Sequence, residues 1–154
     1  MTSVPNGHSD SAESQRRVRG RKQRLRVNAL PPAQRPGQVL LVDDDPKFQQ
    51  IVREFLELKG FRVISASSGQ EAIRCLTRSD PRVVLLDMKM PGMDGLLTLK
   101  RIRVSHPTVP VIFVTQADEE EFIGEARLLG VNDCLLKPFS FEALEAILLT
   151  KIVR

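Results

Sequence analysis

The sequence predicts an α/β fold: a doubly wound, five-stranded parallel sheet with helices on both faces. Two observations carry this. Short apolar runs alternate along residues 38–154 with longer stretches whose apolar residues recur at helical spacing. Strands that read as unbroken apolar runs are covered on both faces, and strand–helix alternation implies parallel pairing. Several of the runs also end on a residue with chemistry. Val39–Val42 runs into Asp43-Asp44-Asp45, Val83–Leu86 into Asp87, Val111–Val114 into Thr115, and Cys134–Leu136 into Lys137-Pro138. An open α/β sheet holds its ligands outside the carboxyl ends of its strands.

Each element has its own local signal. Val39–Val42 is the first buried strand. Asp45-Pro46 starts a helix, with an acceptor side chain at the cap and proline in the first turn. Phe48, Ile51, Val52, Phe55 and Leu56 form one apolar stripe, and Gly60 closes the helix. Phe61, Val63 and Ser65 alternate with Arg62 and Ile64 in a second, less buried strand. Ser68-Gly69-Gln70-Glu71 fits a capping box before Ala72, Ile73 and Leu76.

Asp80-Pro81 breaks the chain before the central strand, Val83–Leu86. The turn at Pro91-Gly92 and Gly95 precede a third helix carrying Leu96, Leu99, Ile102 and Arg103. That helix ends before His106-Pro107. After Val111–Val114, a fourth helix runs from Glu119 to Leu129. Its acidic first turn, Glu119 to Glu121, complements the helix dipole, and Gly130 stops it. Cys134–Leu136 is the fifth strand, and Ser140 caps a last helix through Val153 with Leu144, Ile147, Leu148 and Ile152 inside. Right-handed crossovers leave few topologies. Strand order 2-1-3-4-5 sets the first and third strands side by side at the switch point, so that Asp43, Asp44 and Asp87 meet in one crevice.

The chain has 154 residues, of which 42% are hydrophobic, which suits one packed domain. No apolar run approaches the roughly 20 residues that cross a bilayer, and the polar, then basic, N-terminus is no secretory signal. Cys75 and Cys134 lie far apart and read as reduced thiols of a cytoplasmic protein. The net charge of +4 is uneven. Residues 1–37 carry eight basic and two acidic side chains, whereas residues 38–154 carry fifteen and seventeen. We therefore expect a mildly acidic domain over 38–154 behind a disordered basic extension and linker over 1–37. Seven basic residues between Arg16 and Arg26 could form a phosphate-seeking arm for nucleic acid or could simply solubilise the tail. Aromatic residues for base stacking are absent there.

Close carboxylates repel one another, by up to roughly 4 kcal/mol per pair at an effective dielectric of about 20. A hard divalent cation removes that cost, and all-oxygen ligands suit Mg²⁺ or Mn²⁺. Lys137 and Thr115 are the donors that a phosphoryl group wants. A carboxylate nucleophile, a metal, a lysine and a hydroxyl make a phosphoryl-transfer site.

Residues 38–154 resemble a response-regulator receiver domain of two-component signalling. The matching motifs are Val42-Asp43-Asp44-Asp45-Pro46, the segment from Asp87 through Met90-Pro91-Gly92-Met93-Asp94-Gly95, Val114-Thr115, and Lys137-Pro138-Phe139. The resemblance implies a flavodoxin-like sheet. It also implies that Asp87 is the phosphoacceptor, served by a sensor histidine kinase or phosphotransfer protein. Asp44 would bind the metal directly, Asp43 largely through water, and the Lys89 backbone carbonyl as a third protein ligand. Lys137 and Thr115 would each take a phosphoryl oxygen, and the Lys137–Pro138 peptide would be cis. Such a domain catalyses its own phosphoryl transfer and slow dephosphorylation without being an enzyme in the ordinary sense.

Two positions depart from the family pattern. Cys134 stands where an aromatic residue commonly couples to the threonine, so an aromatic swing is not the readout. Gln116 stands where a small residue commonly follows the threonine. Its bulk is expected to restrict access to Asp87, and Lys89 borders the same group. No helix-turn-helix or catalytic segment follows the last helix in the sequence. The expected outputs are partner binding, relay of the phosphoryl group, or homodimerisation through the fourth helix, fifth strand and last helix. Two other readings stand beside this one. A phosphohydrolase using Asp87 would need an acid where Lys89 stands. A phosphorylation-independent docking module, tethered by the basic arm, would not need all the acids that are present.

Overall fold

A computed structural model describes residues 37–90, 92–116 and 120–152. Of the extension expected over 1–37, residues 1–36 with the basic stretch Arg16–Arg26 lie outside the described residues, as do Pro91, Glu119, Val153 and the side chain of Glu120. The strands are β1 (Gln38–Val42), β2 (Arg62–Ala66), β3 (Val83–Asp87), β4 (Val111–Thr115) and β5 (Asp133–Leu136). The helices between and after them are α1 (Pro46–Leu58), α2 (Gly69–Arg78), α3 (Gly95–Ser105), α4 (Glu120–Leu128) and α5 (Phe141–Ile152). All four strand pairings are parallel, in the order β2-β1-β3-β4-β5. This is the doubly wound order that the sequence predicts.

Alternate residues of a strand point to opposite faces, and each face has its own core. Leu40, Val42, Val84, Leu86, Val111 and Phe113 pack with Ala72, Leu76, Leu96, Leu99 and Ile102 of α2 and α3 and with Ala126 of α4. Val39, Leu41, Val83, Leu85, Ile112 and Leu135 pack with Val52 and Leu56 of α1 and with Leu144, Leu148 and Ile152 of α5. Because β1, β3 and β4 are covered on both faces, their sequences are apolar without alternation. β2 lies at one edge, and only Ala66 among its residues is buried.

The caps read from the sequence at Asp45, Ser68 and Ser140 are in place with one change of partner, and Asp94 is a further cap that the sequence reading did not name. Asp45 accepts from the Lys47 N–H (3.0 Å), Asp94 from Leu97 (2.8 Å) and Ser140 from Ala143 (3.1 Å). Ser68 accepts from the Glu71 N–H (3.1 Å), but the Glu71 carboxylate does not close the box on Ser68. It turns to Ser67, where the N–H and hydroxyl both donate to it at 2.8 Å. Two donors on one residue bind a carboxylate better than one, and they hold Glu71 below the usual carboxylate range.

Arg103 is a half-buried cation in the last turn of α3. Its guanidinium donates to the carbonyls of Val109 (2.7 Å), Gly130 (2.8 Å) and Leu129 (3.3 Å) and to Asn132 Oδ1 (3.1 Å). Burial lowers its pKa. One side chain thus ties the end of α3 to the entry of β4 and to the turn after α4. Arg103→Met keeps the aliphatic stem but strands these acceptors. It is expected to cost about 2–4 kcal/mol in urea unfolding, whereas a loss under about 0.5 kcal/mol would show that water replaces the guanidinium.

Candidate functional site

The carboxyl ends of β1, β3, β4 and β5 converge, and local hydrogen bonds fix each of them. At the end of β1, the Asp43 N–H donates to the Ala66 carbonyl (3.0 Å), which continues the β1–β2 ladder by one residue. The Gln49 side-chain amide, one turn into α1, donates to the carbonyls of Asp43 and Ala66, the latter at 2.8 Å. It pins the acidic turn to the sheet. The Asp45 N–H donates to Asp43 Oδ1 (2.8 Å), so one oxygen of that buried carboxylate is already held. Asp44, between them, is exposed.

At the end of β3, Asp87 is buried and the next residue stays tied to the sheet, with the Met88 N–H donating to Val114 (3.2 Å). The chain then doubles back. The Gly95 N–H donates to the Met88 carbonyl (2.9 Å), and a Cβ on Gly95 would lie 2.7 Å from the Asp87 carbonyl oxygen. Only glycine permits this approach. At the end of β4, Thr115 is buried, and its carbonyl accepts from the Lys137 N–H at 2.7 Å. The Lys137–Pro138 peptide is cis.

These ends bring the predicted residues together. Asp43, Asp44 and Asp87 each offer an oxygen within 4.8 Å of the others. Lys137 Nζ stands 3.0 Å from Asp43 Oδ2 and 3.8 Å from Asp87 Oδ1. The Asp87 pKa is raised to about 6, chiefly by burial and then by the charge on Asp43, with a smaller push from Asp44. Lys137 and an N–H donated by Lys89 pull the other way. The cluster is thus short of positive charge even with the lysine present. An all-oxygen, three-carboxylate set in that condition fits a hard divalent cation such as Mg²⁺. Thr115 Oγ1 is buried and has no hydrogen-bond partner among the described residues.

The departures from the family pattern also have places. Cys134 is half-buried against the core of the α2–α4 face, and burial pushes its thiol pKa up. Gln116 is exposed and lines a groove of about 690 Å³ between α1 and the β5–α5 turn, which Phe48, Ile51 and Phe139 also line. Ile51, read from the sequence as part of the buried stripe, is 55% exposed because it forms the lip of this groove. The sequence reading missed Gln49 as a brace. Its only signal was a polar residue one turn after the acids, on the helix that follows them.

Residues 39–149 match the family described as the response regulator receiver domain. Among curated proteins, the probable C4-dicarboxylate response regulator DctR of Priestia megaterium is 39% identical over 109 residues. That match covers 70% of this chain and 48% of DctR, so the chain spans about half the length of that relative. The sporulation initiation phosphotransferase F of Bacillus subtilis is 36% identical over 104 residues, covering 68% of this chain and 84% of that protein. Among solved structures, the chemotaxis protein CheY4 of Vibrio cholerae superimposes with a TM-score of 0.72 at 29% identity, over 75% of this chain and 98% of that one.

Proposed function

The chain belongs to the response regulator receiver family, and from that premise we propose that Asp87 accepts a phosphoryl group from the phosphohistidine of a partner kinase or phosphotransfer protein. Receiver domains are signalling modules rather than classical enzymes, and the chemistry here is a single transfer. An Asp87 carboxylate oxygen attacks phosphorus and the P–N bond breaks. The imidazole nitrogen keeps the electron pair and takes up a proton. The product is an acyl phosphate on Asp87.

The observation that carries this reading is the orphaned hydroxyl of Thr115. A buried donor without an acceptor costs about 1–3 kcal/mol. Thr115 ends the strand beside β3, one residue past the register partner of Asp87. A phosphoryl oxygen on Asp87 would be its missing acceptor, and Lys137 would take a second oxygen. Asp44, Asp87 and the Lys89 carbonyl would hold Mg²⁺, with Asp43, already bonded to Lys137 and the Asp45 N–H, acting largely through water. The bound cation would supply charge to offset that of the transferring group.

Moving a two-state switch from 1:99 to 99:1 needs about 5.5 kcal/mol of differential stabilisation. Charge-assisted bonds from Lys137 and Thr115 to phosphate would supply part of it. Phe122, Leu128, Leu136 and Leu149 on α4, β5 and α5 are exposed apolar side chains that a partner or a second copy would use to read the state. Both cysteines are free, and no helix among the described residues is long and apolar enough to cross a membrane. We place the reaction in the cytoplasm.

The test is incubation of the full chain with Mg²⁺ and either acetyl phosphate or a promiscuous histidine kinase, read on a phosphate-affinity gel. The expected result is a Mg²⁺-dependent, hydroxylamine-labile band. Absence of label from both donors, while a matched receiver labels, would overturn the proposal. The sequence contains no Trp or Tyr, so a gel readout replaces intrinsic fluorescence.

Gln116 is expected to slow the approach of water to the acyl phosphate. Gln116→Ala should shorten its lifetime by roughly fivefold, about 1 kcal/mol of barrier. A pulse-chase with an unchanged decay rate would remove Gln116 from the account.

A further inference from the structure

Lys137 has a neighbour to which phosphoryl transfer assigns no part. Its Nζ stands 4.1 Å from the centroid of the Phe48 ring, within cation–π range. The ring is itself held. Phe139 meets it edge-on, with centroids 5.9 Å apart and planes at 87°. Lys137 and Phe139 flank Pro138, so one short segment supplies both the ammonium and the edge contact. Phe48 belongs to the first turn of α1, three residues after the cap residue Asp45. The ring is therefore carried by the first turn of the helix that directly follows the acids.

The geometry matters because Lys137 has two kinds of partner. Asp43 and Asp87 attract its charge at 3.0 and 3.8 Å. A divalent cation among those carboxylates would offset that attraction and repel the ammonium, at the moment when the lysine is wanted beside the phosphoryl group. An aromatic face carries no formal charge that a metal could neutralise. It would keep its hold when the carboxylates lose theirs.

We propose that Phe48 is a positioning residue for Lys137, its ring face holding the ammonium at the phosphoryl site while cation occupies the carboxylate cluster. The inference rests on the phosphoacceptor reading of Asp87 and adds to it a residue that touches no reacting atom.

The test uses Phe48→Leu, which keeps an apolar side chain but removes the π face, and Phe48→Trp, which restores a stronger one. The first readout needs no phosphorylation. In the full chain with saturating Mg²⁺, the Lys137 ε-methylene protons are expected upfield from ring current. That displacement should vanish in Phe48→Leu and return in Phe48→Trp. Its absence in the wild type with Mg²⁺ would overturn the proposal.

The second readout is the rate of labelling by acetyl phosphate, expected to fall about three- to thirty-fold in Phe48→Leu and to recover in Phe48→Trp. The same loss recurring in full on a Lys137→Met background would show that the ring acts elsewhere and would overturn it. A Leu variant as fast as wild type would do the same. A wild-type chain that takes label from neither acetyl phosphate nor a histidine kinase defeats the phosphoacceptor reading instead. The chemical shift then still decides whether the ring holds the ammonium in the presence of Mg²⁺.

Discussion

Asp87→Asn is expected to abolish the hydroxylamine-labile label and, in the same molecule, to raise the unfolding midpoint of the metal-free domain at pH values above about 6. The two effects share one cause. Asp87 is a buried carboxylate whose pKa is raised to about 6 from an ordinary 3.8, so the folded chain binds a proton there that the unfolded chain has already released. Stability therefore falls as pH rises from about 4 to about 6, and the penalty is complete above that. Asparagine removes the charge while keeping the shape.

The gain should be about 1–3 kcal/mol at pH 7.5 and should shrink towards nothing at pH 4. Mg²⁺ is expected to narrow the gap. At ten times its Kd a ligand that binds only the folded state adds about 1.4 kcal/mol. The wild type should gain this, and the asparagine variant, with one charged ligand fewer, should gain less. Thermal melts across pH with and without Mg²⁺ measure all of it. A variant no more stable than wild type at pH 7.5 without metal would mean that Asp87 is not under the electrostatic load assigned to it.

Gly95→Ala is expected to destabilise the fold by about 2–4 kcal/mol, against the helix propensity of the exchange. Alanine is ordinarily the better helix former by about 1 kcal/mol. At Gly95, however, the new methyl would stand 2.7 Å from the Asp87 carbonyl oxygen, 2.7 Å from Met88 Cα and 2.8 Å from the Phe113 ring. Two of those atoms belong to the backbone at the end of the central strand and cannot rotate away. The strand end must move, and Asp87 with it, so the labelling rate should drop as well. Gly124 in α4 is the internal control, because a Cβ there meets nothing within 4 Å. Gly124→Ala should stabilise by about 0.5–1 kcal/mol and leave labelling unchanged. Equal melting shifts for the two substitutions would refute the steric account of Gly95.

Those contrasts also mark how far the sequence could be read. Strands buried on both faces are legible because nothing polar interrupts them. The residue that first does so, Asp43 or Asp87, announces the strand end and the crevice together. Caps were equally plain where Asp45 and Ser140 each precede an apolar-periodic run.

What stayed hidden depends on distance in space rather than in sequence. Periodicity puts Ile51 on the stripe of α1 but cannot say that the groove leaves that edge of the stripe uncovered. Gln49 looks like any exposed helix residue until β2 is seen to bring the Ala66 carbonyl within its reach. Phe48 looks like core until Lys137 is placed over its ring. The choice of Ser67 over Ser68 by Glu71 turns on side-chain reach, which the capping pattern does not encode.

The lysine and the acid that it pairs with are 94 residues apart, and the lysine directly follows β5, the last strand in the sheet, which is hydrogen-bonded to β4 alone. Edge elements open at lower free energy than the centre of a sheet. An excursion that frees β5 and α5 would carry Lys137 away, both its ammonium and the N–H that bonds the Thr115 carbonyl, while β1 and β3 still present their acids. Chemical competence would then report on the docking of the C-terminal unit rather than on the fold as a whole. A ligand or partner that clamps α5 could raise the fraction of molecules able to react without touching the phosphoacceptor.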